Sequence, residues 1–162
     1  MRGTPAHQFA GDVTRHYGDR DVLLRRLRAL ANPSLRAVGL VRLAAGPRRL
    51  VSWRARRRLI RNYGIDVGYG ARLGSELSLP HPTGIVIGAG VRVADRVTLY
   101  HHVTLGRGRG GYPNVGSDVT ILPGAVVVGG VRVGRGALIG ANAFVATDVP
   151  DGAVVRGGER CV

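Results

Sequence analysis

The sequence predicts a mainly β protein, a parallel β-helix entered through a short α-helical region. Two observations carry this. From Ile65 onward, Val67, Leu73, Leu79, Ile85, Val91, Val97 and Val103 fall every six residues, and Val115, Ile121, Val127, Val133, Ile139 and Val145 do so again. Ahead of them, residues 21–64 place apolar side chains at helical spacing. An α-helix, with 3.6 residues per turn, cannot produce a step of six. Sustained over this length, the step marks short strands that form the faces of a coil and stack their aliphatic side chains into one core.

The elements run in this order. Residues 1–20 have no periodicity and read as a loose tail. In "DVLLRRLRALA", Leu23, Leu24, Leu27 and Leu30 give a helix with Asp21 as its N-cap. Asn32-Pro33 ends it, and Ser34 is placed to cap a second helix that runs to Ala45, before Gly46-Pro47. A third runs through "RRLVSWRARRRLIRN" and stops at Tyr63-Gly64, with Trp53 expected to pack the helices against the adjoining solenoid. The solenoid is assigned to residues 65–155, with a C-terminal tail at 156–162. A companion series includes Ile87, Val93, Leu99 and Leu105, then Val119, Ala125, Val131, Ala137, Ala143 and Val149. From Leu105 to Val115 the interval is ten, so "GRGRGGYPN" supplies a loop at 106–114 pushed out of the coil. An interruption of a regular repeat is where function tends to sit.

Composition narrows the classes. Cys161 is the only cysteine, which excludes a disulfide framework and zinc-type spacing within the chain. The first 20 residues hold no apolar core of a secretory signal, and no apolar run approaches the ~20 residues of a membrane span, so a cytoplasmic protein is expected. All 24 basic residues are arginine, and residues 1–63 hold 15 of them against three Asp. Such asymmetry suits a nucleic acid, an anionic membrane surface or an acidic protein, and equally a solvated helical surface. The segment has no aromatic stacking platform and no DNA-reading motif, so nucleic acid is not expected as the main partner.

In "LPHPTGIVIG", Pro80 and Pro82 fix their own φ angles and bias the residues before them toward extended backbone. They stiffen the chain around His81. By spacing alone, His81 is as well read as a solvent-facing turn residue as a functional imidazole.

The segments "GIDVGYGARLG", "LPHPTGIVIGAGVRV", "VTLYHHVTLG" and "YPNVGSDVTILPGAVVVGGVRVGRGALIGANAFVATDVP" resemble the serine acetyltransferase family of left-handed β-helix acyltransferases, over roughly residues 33–155. The "PHP" segment looks closest to short members, several of which resemble sugar or exopolysaccharide O-acetyltransferases. The resemblance implies coils of three hexapeptides, a homotrimer, and acetyl-CoA in the groove between neighbouring subunits. No metal is expected, since Asp66, His81, His101 and His102 make no persuasive ligand set. The resemblance matches His81 to the catalytic histidine, a general base that takes the proton of a hydroxyl as it attacks a thioester. It matches Asp66 to a supporting carboxylate. With 18-residue coils, the 15-residue step from Asp66 to His81 returns close to the same edge of the next coil, where a dyad can form. His101 and His102 are expected to have stacking roles. The positions matching donor contacts are Gly106, Arg107, Pro123 and Ala141. Arg107, Arg109, Arg156 and Arg160 are candidates for the phosphates.

The departures fall on the acceptor side. Pro80 replaces the acidic residue before the catalytic histidine, Gly111 and Tyr112 replace an Arg-His pair, and Ala89 replaces a glutamate. Each lost charge-assisted hydrogen bond is worth roughly 1.5–3 kcal/mol. Pro80, Arg109 and Tyr112 then face the acceptor. The expected function is acetyl-CoA-dependent O-acetylation of a sugar, a specialised metabolite or a hydroxy acid on an acidic carrier protein. Free L-serine is the alternative acceptor. A non-catalytic β-helix scaffold or a basic-surface binding protein is the reading from another class.

Overall fold

The computed structural model describes residues 5–17 and 32–162. Its three helices are α1 (Pro5–Tyr17), α2 (Pro33–Ala45) and α3 (Arg49–Tyr63). The helix expected over "DVLLRRLRALA" and its Asp21 cap lie outside the described residues.

Fourteen strands of two or three residues, numbered in chain order, form three parallel faces. The first face holds β1 (Asp66–Val67), β3 (Val86–Ile87), β6 (Thr104–Gly106), β9 (Val126–Val128), β12 (Phe144–Val145) and β14 (Arg160–Cys161). The second holds β2 (Arg72–Leu73), β4 (Arg92–Val93), β7 (Asn114–Val115) and β10 (Arg132–Val133). The third holds β5 (Thr98–Leu99), β8 (Thr120–Ile121), β11 (Leu138–Ile139) and β13 (Val154–Val155). The chain thus winds about five turns of a parallel β-helix, as the six-residue step predicts. Ile87, Leu99, Leu105, Ile121 and Ile139 are among the aliphatics stacked inside it with almost no exposure.

The coils are not equal. Asp66 pairs with Val86, Val86 with Thr104, Thr104 with Val126, Val126 with Phe144 and Phe144 with Arg160. These are steps of 20, 18, 22, 18 and 16 residues. The 22-residue step contains the expected loop, but the 20-residue step was not legible. In sequence, Leu79 to Ile85 continues the series of six. In space, Val67 and Leu73 align with Ile87 and Val93, whereas the Val86 N–H donates to the Val103 carbonyl of the next coil. Two extra residues are therefore absorbed between Leu79 and Ile85, at the corner that carries His81.

The helices differ from expectation in three respects. Residues 5–17 form α1 rather than part of a loose tail. Asn32, not Ser34, caps α2: its Oδ1 accepts from the Ser34 and Leu35 N–H groups, which frees the Ser34 hydroxyl to donate to the Pro80 carbonyl at 3.1 Å. Trp53 points outward, half exposed, with the Arg57 guanidinium 4.9 Å above its ring. Ala55 and Leu59 carry the buried face of α3 instead. Gly64 ends α3 in the left-handed conformation (φ 63°), as its position after Tyr63 predicts.

A buried ion pair docks α1. Arg42 of α2 donates to both carboxylate oxygens of Asp12 at 2.5 and 2.6 Å, and to the carbonyls of Leu73 and Gly74. Asp12 also accepts from the Leu77 N–H. Burial raises the Asp12 carboxyl above the usual range, and the Arg42 hydrogen bonds and charge oppose that rise.

Candidate active site

His81 sits at the corner between the third and first faces, on the two-residue insertion. Its position is held by backbone. The Thr83 N–H donates to the His81 carbonyl at 2.8 Å, the Gly84 N–H to Tyr63 of α3 at 3.0 Å, and the His102 N–H to Thr83 at 2.9 Å. With the Ser34 hydroxyl on Pro80, α2 and α3 both brace this corner. The ring itself is exposed. It packs against His101 edge-on (centroids 5.8 Å apart) and against Tyr100 (6.2 Å). His101 meets His102 edge-on in turn, 5.6 Å away. The stacking expected of His101 and His102 is therefore present, and His101 is more than stacked: its Nδ1 is buried without a hydrogen-bond partner.

Asp66 is not turned to this ring. Its two carboxylate oxygens accept from Nε and Nη2 of Arg56 at 2.6 and 3.0 Å, and no hydrogen bond joins it to His81. The expected dyad assumed 18-residue coils. The coil is 20 residues here, and Arg56 on α3 reaches the carboxylate from above.

The third-to-first corner repeats down the coil. The Gly124 N–H bonds to His101 and the Asn142 N–H to Pro123, so Pro123 and Ala141 continue the edge that begins at His81 and His101. Gly106 and Arg107 lie elsewhere, where the first face turns into the second. One chain thus divides the candidate residues between two edges of its first face.

Known proteins resemble this arrangement. Residues 112–147 match the family model described as bacterial transferase hexapeptide (six repeats). A serine acetyltransferase of Mycobacterium tuberculosis is 45% identical over 98 residues, 58% of this chain and 43% of that protein. One from Helicobacter pylori is 41% identical over 99 residues, 58% of this chain and 57% of that protein. A crystal structure of serine acetyltransferase from Brucella abortus strain S19 superposes with a TM-score of 0.80 at 30% identity, covering 94% of this chain and 65% of that one.

This chain is a hexapeptide β-helix similar to those of serine acetyltransferases. The left-handed coil that the resemblance implied is the fold of these relatives. The chain spans about half the length of the curated relatives it matches.

In this chain the 106–114 loop is small and tied. Gly108 and Gly111 exchange two backbone hydrogen bonds, with Gly110 and Gly111 at φ 77° and 124°. Tyr112 folds back over Gly88 and Gly90: a β-carbon on Gly90 would stand 2.2 Å from its ring. Its ring is therefore committed to packing on the coil above. Arg107 and Arg109 are exposed, and Arg160 lies 5.5 Å over the Phe144 ring. Among the described residues, no group of three or more His, Cys, Asp and Glu side chains is placed to hold a metal ion. No helix among them is long and apolar enough to cross a membrane.

Sequence reasoning missed all of α1 and the bond from Ser34 to Pro80, because it assigned Ser34 to the cap that Asn32 makes. Residues 5–17 were read as tail because their apolar face is short, chiefly Phe9 and Val13 four residues apart, and the Asp12–Arg42 pair that docks it is a long-range contact.

Proposed function

We propose that this chain is an acetyl-CoA-dependent O-acetyltransferase in which His81 is the general base. The observation that supports it most is the His81 corner: an exposed imidazole on a two-residue insertion, braced by α2, α3 and two prolines, in a chain 45% identical to a serine acetyltransferase over 98 residues. His81 takes the proton from the acceptor hydroxyl while its oxygen attacks the thioester carbonyl. The carbon–oxygen bond forms, the carbon–sulfur bond breaks, and the imidazolium returns the proton to the leaving thiolate. Transfer is direct, without an acyl-enzyme.

The donor fits the edge below His81. Pro123 and Ala141 are small, half buried and aligned with it, which leaves room for a narrow pantetheine arm. Gly106 and Arg107 belong to the opposite edge, so a complete donor groove needs the edge of a second protomer, as in a homotrimer. Arg107 and Arg109 then bring positive charge to the phosphates. Asp66 is held by Arg56 and has no direct part in this step.

Free L-serine is the acceptor that the relatives' names support, ahead of a sugar or specialised metabolite. The relatives' names do not point to an acidic carrier protein. One observation keeps a second acceptor class in view: Pro80, Gly111 and Tyr112 provide no charge, and Tyr112 is spent on Gly88 and Gly90. Acetyl-CoA turnover against serine and simple sugars tests this. Serine is the expected substrate; transfer to sugars alone would overturn the serine reading.

A further inference from the structure

Ser52, Ala55 and Leu59 form the buried side of α3, which packs on α2 and β1. At about 100° per residue, Leu50, Trp53, Arg54, Arg57, Ile60 and Arg61 fall within roughly 120° of arc on the opposite side. Leu50 is 62% exposed, Trp53 52% and Ile60 49%, so three large apolar side chains share that side with three exposed arginines. A surface recess of about 510 Å³ opens there, lined by Trp53, Arg54, Arg57, Arg58, Ile60 and Arg61. A solvated basic helix accounts for the arginines and not for the apolar stripe.

The charge on this face is uncompensated. The helix carries six arginines and no acidic residue. Among the described residues, Arg56 is the only one of the six that pairs with a carboxylate, that of Asp66. Arg57 lies over the Trp53 ring, and Arg61 reaches the neutral Asn62 Oδ1 at 3.5 Å. A second copy of this face would bring like charges together, which opposes self-pairing through it. Duplex nucleic acid would satisfy the arginines and gain nothing from Leu50 and Ile60. A partner with negative charge at its surface and hydrocarbon just beneath satisfies both sets of side chains. Arginine stems can then lie along the apolar stripe while their guanidinium heads stay at the charged surface.

We propose that the outward face of α3 docks the protein on an anionic lipid bilayer. Leu50, Trp53 and Ile60 enter the boundary between headgroups and acyl chains, and Arg54, Arg57, Arg58 and Arg61 meet the lipid phosphates. The helix lies on the bilayer and does not span it, being too short and too charged to cross. Docking uses other residues than the His81 corner, which α3 braces only through the Tyr63 carbonyl, so it stands apart from the acetyltransferase reading. In the homotrimer proposed above, threefold symmetry repeats the face at one level of the axis, and three weak contacts act together.

Trp53 is the only tryptophan of the chain, so its fluorescence reports on this face alone. The full chain is titrated with vesicles of equimolar phosphatidylcholine and phosphatidylglycerol, and with vesicles of phosphatidylcholine only, and binding is also read by flotation. Anionic vesicles should shift the emission to the blue, shield Trp53 from acrylamide and float the protein. Neutral vesicles should do so far more weakly, and added salt should release the protein. Arg54→Gln, Arg57→Gln and Arg61→Gln combined should weaken binding by about 100-fold, roughly five-fold per arginine, with the melting temperature unchanged. If the triple variant melts early, Ile60→Ser and the salt series on the intact chain still decide, since both should lower binding. Failure to bind anionic vesicles overturns the proposal, and so does equal, salt-insensitive binding to both kinds. Shielding of Trp53 without lipid also overturns it, because the chain's own residues or a second copy would then cover the face. Tighter binding to duplex DNA than to anionic vesicles assigns the face to nucleic acid and overturns it as well. Vesicle binding without acetyl transfer leaves the docking face and removes the enzyme; acetyl transfer without vesicle binding does the reverse.

Discussion

The Nδ1 atom of His102 lies 2.3 Å from where a β-carbon on Gly84 would stand. The same relation recurs two coils on, where Asn142 Oδ1 would meet a β-carbon on Gly124 at 2.1 Å. All four residues are left-handed, with φ of 66°, 57°, 72° and 56° in chain order for Gly84, His102, Gly124 and Asn142. At this corner a side chain on one coil fills the space above the glycine of the coil before it. Bare and substituted positions therefore alternate.

Gly84→Ala adds a clash to a positive φ, which by itself costs an L-residue roughly 1 kcal/mol. It should lower stability by more than that and displace His102 from the His81 corner. Combining it with His102→Ala should recover part of the loss. A double-mutant cycle from denaturant melts reads the coupling, and strict additivity would contradict the packing.

Asp12→Asn leaves the Arg42 guanidinium buried without its carboxylate. Breaking one side of a buried pair costs about 3–5 kcal/mol, so this variant should detach α1. Hydrogen exchange should show the loss at residues 5–17 while the β-helix amides stay protected. Uniform protection would mean that α1 is held by other contacts.

Asp118 accepts from Arg96 and Arg135, linking three coils, and the Arg96 hydrogen bond is the largest cause holding its carboxyl down at about 2. A lowered carboxylate pKa contributes stability above the unfolded value, near 4, that is lost as pH falls toward 2. Asp118→Asn should therefore flatten the acid limb of the melting-temperature profile between pH 4 and 2. An unchanged limb would mean that this pair is screened by solvent.

The fold was legible because a step of six has no competing explanation, and the Leu105 to Val115 interval located the one large interruption. The 20-residue coil was not legible. Buried positions come in pairs two apart, such as Ile85 with Ile87, so an insertion of two moves an aliphatic from one column to the other without breaking the count. The family resemblance, on a histidine flanked by two prolines, pointed to His81. Its surroundings could not be read the same way, because the assumed coil length put Asp66 beside it, whereas Arg56 takes that carboxylate.

Asp66→Asn tests that difference. The carboxylate bonds to Arg56 and not to the imidazole, so the variant should lower kcat by only a few-fold. An exposed ion pair is worth about 0–1 kcal/mol, so stability should change little. A fall in kcat as large as that of a His81 variant would restore the hydrogen-bonded dyad.

The most direct test is the acetyl-transfer rate of His81→Ala at saturating acetyl-CoA and serine, with CoA affinity measured on the same sample. A general base contributes about 10²- to 10⁴-fold, so kcat should fall by that factor while CoA binding and melting temperature hold. Transfer at the intact chain's rate would contradict the assignment of His81 and the mechanism built on it.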